Sequence, residues 1–262
     1  VIQRDFLESD PFIMLMDDQL DKQNDEPVGG PHPHAGFETV TLLIEGEIGD
    51  GPERMNPGDF QIMTAGSGII HTETIKKKTR LRVLQLWLTL PAKQRWALPR
   101  VQDLSRENVP NVVEPGLSIH VYSGSFAGVS SPVSNYVPLI IADIQMKPSV
   151  ITLQQLPASF NSFLYVLEGS VKAGEEDKII NQHQVGWLDK YPEAVQSELL
   201  LKAGPSGARI VLYAGAPQGD PIVSHGPFIG EQPEDITRLY NQYRQGKMQN
   251  ISSVAASQRI KL

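Results

Sequence analysis

The chain has 262 residues, 40% of them hydrophobic, with 22 glycines and 20 prolines; that is enough apolar material for two cores, with turn formers that favour short strands. Its 30 acidic and 23 basic side chains leave a net charge of −7, which disfavours direct nucleic-acid binding by repulsion from phosphate. The absence of cysteine excludes disulfides and thiolate-held metal, and with neither a run of roughly 18 apolar residues nor a signal-like apolar start, a soluble, cytoplasmic protein away from membranes is expected.

The first motif is Pro31-His32-Pro33-His34, leading into a β-branched, apolar run at residues 37–45 that reads as a strand. Residues two apart in an extended segment share a face, so His32 and His34 point together. A second strand is expected at 60–64. After the Gly66-Ser67-Gly68 turn comes Ile69-Ile70-His71-Thr72-Glu73, where the same parity aligns His71 with Glu73. Lys76, Lys77 and Lys78 read as a solvated hairpin tip. Further strands are expected at 81–90, 117–122, 139–145, 163–167 and 210–213. His120 falls in one of these and His183 in a polar turn, where hydrogen-bonded or solvated roles are ordinary. One helix is expected to start at Pro233, Glu234 and Asp235 and to stop before Gly246, with Ile236, Leu239, Tyr240 and Tyr243 at helical spacing.

Leu42-Leu43-Ile44-Glu45-Gly46 resembles Tyr165-Val166-Leu167-Glu168-Gly169, an internal repeat that implies a duplicated all-β barrel. Ser130, Ser131, Pro132 and Pro138 interrupt the pattern. The expected domains are therefore residues 1–132, and residues 133–262 ending in the helix.

Two same-face pairs on facing strands can converge on one ion. Imidazole and carboxylate donors without sulfur suit iron, manganese, nickel, copper or zinc. Glu38, four residues beyond His34, competes with Glu73 as the carboxylate, and strand parity leaves both open. Counted from the Glu-Gly turns, His32, His34 and Glu38 correspond to Gln155, Pro157 and Asn161. Counted from Gly58 and Gly186, His71 and Glu73 correspond to Leu199 and Leu201. The second half is expected to be structural or a partner surface.

These residues resemble the pirin family of bicupins. The matching segments are Asp10-Pro11-Phe12, residues 31–40, Asn56-Pro57-Gly58-Asp59, residues 63–69, His71-Thr72-Glu73, Gln85-Leu86-Trp87 and His225-Gly226-Pro227-Phe228. The resemblance implies two jelly-roll-type cupin barrels with a single divalent metal, Fe(II) before Mn, Ni, Cu or Zn. His32, His34, His71 and Glu73 are then its ligands, and Glu38 an acid behind them or in the core. It further implies a dioxygenase that opens flavonols such as quercetin with dioxygen, releasing carbon monoxide. Glu73 would take the proton of the aromatic hydroxyl, in a pocket lined by Phe37, Met63, Gln85 and Trp87. The same family also implies a non-enzymatic redox sensor that binds a transcription regulator or metabolic enzyme, and the net acidity favours a protein partner over DNA. One departure is the hairpin at residues 46–55, which is shorter than the family's and bears on access to the pocket mouth. His225 reads as a structural turn.

Overall fold

Alternating side chains dictate the first sheet. The computed structural model describes residues 1–49, 54–176 and 178–262. It opens with strands Phe12–Lys22 (β1), His32–His34 (β2), Phe37–Glu45 (β3), Phe60–Thr64 (β4), Ile69–His71 (β5), Thr79–Thr89 (β6) and Arg100–Leu104 (β7). Among the described residues, β1, β6, β3, β4, β7 and the strand Arg259–Lys261 form a six-stranded sheet in that order. Its register puts Leu15, Leu86, Val40 and Ile62 in one row, and Met16, Gln85, Thr41 and Gln61 in the next. Adjacent rows face opposite ways, so one face is aliphatic and the other polar and aromatic.

β2 and β5 pair antiparallel, and Gln249–Asn250 runs parallel along the other side of β5. Pro33, which has no N–H to donate, is accommodated because β2 is an edge strand. The register faces His32, His34, Ile69 and His71 one way and Ile70 the other, where Ile70 packs against a cluster containing Phe228, Leu239 and Met248. The expected helix is present at Pro233–Arg244 and buries Ile236 and Leu239 in that cluster.

Contacts divide the chain into one unit of residues 1–8, 12–108 and 218–262, and another of residues 9–11 and 109–217. The compact units thus do not follow the single division at 132/133, and the helix belongs with the first unit. The reason is long-range: residues 218–262 supply strands to both the six-stranded and the three-stranded sheet of the first unit, a return that no local signal announces.

In the second unit, Asn161–Ala173, Gln196–Gly215, Leu139–Met146 and Leu117–Ser123 are consecutive neighbours in an eight-stranded sheet. Leu199 and Leu201 lie in its aliphatic core with Leu164, Val166, Ile210 and Leu212. Among the described residues, strand pairing closes neither unit into a hydrogen-bonded ring. Lys76, Lys77 and Lys78 are exposed, as expected of a hairpin tip. Ile48 bridges Met55 within the short hairpin, whose residues 50–53 lie outside the described set. No described helix is long and apolar enough to cross a membrane.

Candidate metal centre

Residues 28–34 and 69–75 run side by side and antiparallel: Val28 bridges Ile75, His32 lies opposite His71 and His34 opposite Ile69. Close approach demands a glycine at one point. Gly29 has φ +79°, and a Cβ there would lie 2.2 Å from the Glu73 carbonyl oxygen. Two short motifs remote in sequence are thereby brought together.

The ligand-capable atoms of His32, His34 and His71 all lie within 4.8 Å of one another, with ring centroids 4.3 to 5.0 Å apart. Burial, reinforced by the His32 ring, pushes the His34 imidazole down to about 3, against a smaller upward pull from the Pro227 carbonyl. His71 is lowered to about 2, again chiefly by burial and then by the other two rings. Both rings are therefore neutral near pH 7, the form that ligates metal. Nδ1 of His32 donates to the Gly30 carbonyl at 2.9 Å, which orients the ring and makes Nε2 its ligand-capable nitrogen. Nε2 of His34 and Nε2 of His71 are buried with no hydrogen-bond partner among the described residues. Stranding such atoms costs about 1–3 kcal/mol each, a cost that a bound cation removes. The donor set and its orphaned nitrogens fit a divalent transition metal.

Glu73, expected as the fourth ligand, is not part of this group, whose donor atoms come from the three histidines alone, though His32 is near enough to act on its carboxyl. Its Oε1 accepts from Nε2 of Gln85 at 2.9 Å. Burial raises its pKa, His32 and the Gln85 bond pull it back, and Asp18 adds a smaller upward push. Phe37 and Trp87 wall the site: their rings are 4.4 Å apart, and each lies 5.3 Å from the His34 ring.

Parity counted from His34 left Glu38 as a rival ligand, but the count does not survive the bend between β2 and β3. Gly36 has φ +87°, with the Ile229 carbonyl oxygen 1.9 Å from where a Cβ would sit; this turn resets the alternation. Glu38 pairs across the sheet with Leu88 and Thr64, while Trp87 pairs with Thr39 in the next row. The carboxyl therefore lies on the opposite face from Trp87 and takes a 2.6 Å hydrogen bond from the Thr64 hydroxyl. Burial lifts it to about 7, against the Thr64 bond and the Arg100 charge. Met63 is fully buried in an apolar cluster with Ile69, Val101 and Val254.

Asp18 lies in β1, whose only strand signal in the sequence is the short apolar run at residues 12–16. His120 is buried in its strand, and His183 sits in a turn at φ 64°. His225 has Nδ1 3.1 Å from the Tyr240 hydroxyl. None of these joins the three-imidazole group.

Comparison with known proteins places these features among relatives. The Pirin family model matches residues 3–88, and the model for the Pirin C-terminal cupin domain matches residues 141–249. The chain is 33% identical to human Pirin, over 91% of its own length and 82% of the relative's. A crystal structure of a Geobacillus kaustophilus protein is similar with TM-score 0.75 at 33% identity, covering 84% of this chain and 89% of that one. A crystal structure named as quercetin 2,3-dioxygenase from Acinetobacter baumannii is similar with TM-score 0.81 at 26% identity, covering 92% and 86%.

Proposed function

The chain belongs to the pirin family, and from that premise we propose that it is a metal-dependent dioxygenase opening flavonols such as quercetin, with His32, His34, His71 and Glu73 holding one divalent metal. The observation that carries the reading is the cluster of three imidazoles, two of them kept neutral by burial and with buried Nε2 atoms that have no hydrogen-bond partner among the described residues. Similarity to the Acinetobacter quercetin 2,3-dioxygenase supports the substrate class. Iron(II) is the first choice of metal, with manganese, nickel, copper and zinc compatible with the same donors. Three imidazoles and one carboxylate leave coordination positions open, so a bound metal would acidify a coordinated hydroxyl and bring dioxygen to the substrate.

The chain's own residues do the rest. Glu73, its pKa raised by burial, takes the proton from the flavonol hydroxyl, a task for which a carboxylate tuned upward is suited. Gln85 donates to one carboxylate oxygen and so fixes how the carboxylate is presented to metal and substrate. Trp87, partly exposed and backed by the buried Phe37 ring, offers flat apolar surface to the aromatic rings and excludes water.

The test is anaerobic reconstitution with ferrous, manganous, nickel or cupric ion, followed by oxygen uptake and carbon monoxide assays with quercetin. Turnover is expected with at least one metal. His71→Ala should lose most bound metal while its melting curve stays cooperative, and Glu73→Gln should cut turnover by about 100-fold or more, the scale of a lost general base. If no metal supports turnover, the non-enzymatic reading takes its place. Pull-downs with reduced and oxidised protein would then recover different partners.

A further inference from the structure

We propose that Arg95, which touches none of the proposed ligands, is a positioning residue for the metal centre: it fixes the two histidine strands relative to each other and ties them to the C-terminal segment. The inference rests on the metal reading above and concerns what holds that site in shape.

Arg95 is a fully buried arginine, its side chain 0% exposed. Nη1 donates to the Gly36 carbonyl and to the Thr89 hydroxyl, each at 3.3 Å, and Nε lies 3.4 Å from Oε1 of Glu231. Nη2 is buried without a hydrogen-bond partner among the described residues. A guanidinium is costly to bury unless it is paired and bonded, so its retention here calls for a reason. The reason lies in what the groups around it connect.

Gly36 is the bend immediately after His34 and Ala35. Two residues past Arg95, the Ala97 carbonyl accepts the Ser67 amide at 2.9 Å and lies 2.0 Å from where a Cβ on Gly66 would sit. Gly66 and Ser67 form the turn just before β5, which carries His71. The Gly66 carbonyl in turn accepts the Gly36 amide at 2.8 Å. One short loop, residues 92–97, therefore grips the bend that follows His34 and the turn that precedes His71. It sets where both imidazoles emerge.

The loop is itself held from the C-terminal segment. The Asp220 carboxylate accepts the Ala92 amide at 2.7 Å, Glu231 faces the Arg95 guanidinium, and the Arg238 guanidinium lies 4.3 Å over the Trp96 ring. The Asp235 carboxylate, bonded to Arg238 and to the Glu231 amide, completes an acidic surround for Arg95. Burial lowers its pKa, and Glu231, Asp220 and Asp235 pull it back toward the charged form. The guanidinium's fork geometry matters here, because a lysine ammonium cannot span Gly36, Thr89 and Glu231 with the same three directions.

The experiment measures cobalt(II) binding, whose visible absorption reports ligand geometry independently of turnover, for the full chain and for Arg95→Lys, Arg95→Met and Glu231→Gln. Wild type should bind one cobalt ion. Arg95→Met should weaken binding by about tenfold or more, the lower end for partners that orient ligands, with an altered ligand-field spectrum. Arg95→Lys should restore part of the affinity but not the wild-type spectrum. Glu231→Gln, which is half exposed and leaves the arginine in place, should show a smaller change in the same direction, and it keeps the test alive if Arg95→Met fails to fold. Wild-type spectra and affinities in Arg95→Lys and Glu231→Gln would overturn the proposal. Failure of wild type itself to bind cobalt would instead sink the metal reading on which it stands.

Discussion

Glu38 is 0% exposed and accepts one hydrogen bond, from Thr64. Burial lifts its pKa to about 7 from the ordinary 4.5, so the folded chain holds the proton more tightly than the unfolded chain does. Between those two values the native state binds more protons, and stability falls as pH rises. The penalty is absent below the unfolded pKa and complete above the folded one. Glu38→Gln keeps the acceptor for Thr64 and carries no charge to bury, so it should gain on wild type by about 1–3 kcal/mol between pH 5 and pH 8.5. Urea unfolding at the two pH values checks this. A difference between the proteins that is flat with pH would show that Glu38 is ionised through some other stabilising partner. His34 and His71 pull the opposite way: their pKa values are depressed, so the metal-free chain loses stability as pH falls below their unfolded value. Both proteins share that slope, and it cancels in the comparison.

At the scale of elements, the histidine strands depend on partners that arrive late in the chain. Met248 is 8% exposed and packs with Ala35, Phe228, Ile236 and Leu239; its Cγ lies 3.2 Å from where a Cβ on Gly68 would sit, beside the turn into β5. Met248→Ala should destabilise the fold by about 2–4 kcal/mol, since a cavity opens under a sheet that cannot collapse freely. It should also speed amide exchange in Ile69 and Ile70, whose strand pairs with Gln249–Asn250; unchanged exchange there would mean that β5 is held by β2 alone. Strands at 37–45 and 60–64 were legible because β-branched, apolar residues lie between strong turn formers. β1 was not, since Met14, Met16, Asp17, Asp18 and Asp21 have little strand preference. Tertiary contacts decide it: the Asp17 carboxylate takes two bonds from the Arg82 guanidinium, at 2.9 and 2.7 Å, and Leu15 packs across from Leu86. The three imidazoles were legible by spacing alone. What spacing could not show was the bend at Gly36, which removes Glu38 from their face, or the loop at 92–97 that spaces them.

For the molecule as a whole, the order of the chain and the order of folding units differ. Residues 109–217 are nearly continuous as a unit, whereas the unit that carries the three histidines is built from two stretches, 12–108 and 218–262, with residues 1–8. A fragment of residues 1–108 would leave β5 and β7 without their parallel neighbours, exposing strand edges that invite aggregation. It would also leave Arg95 buried or flailing without Glu231. All the proposed ligands are in that fragment, yet it should bind cobalt(II) at least tenfold more weakly than the full chain, the cost expected when the supports of a metal site are lost. Joining residues 1–108 to 218–262 through a flexible glycine-serine linker should recover most of the affinity, and residues 109–217 alone should melt cooperatively without binding the ion. Equal cobalt affinity in the bare 1–108 fragment would show that the site is self-sufficient and that the returning segment serves stability alone. Tight binding confined to the linked form would instead establish that a centre made of residues 32–73 is completed by the last part of the chain.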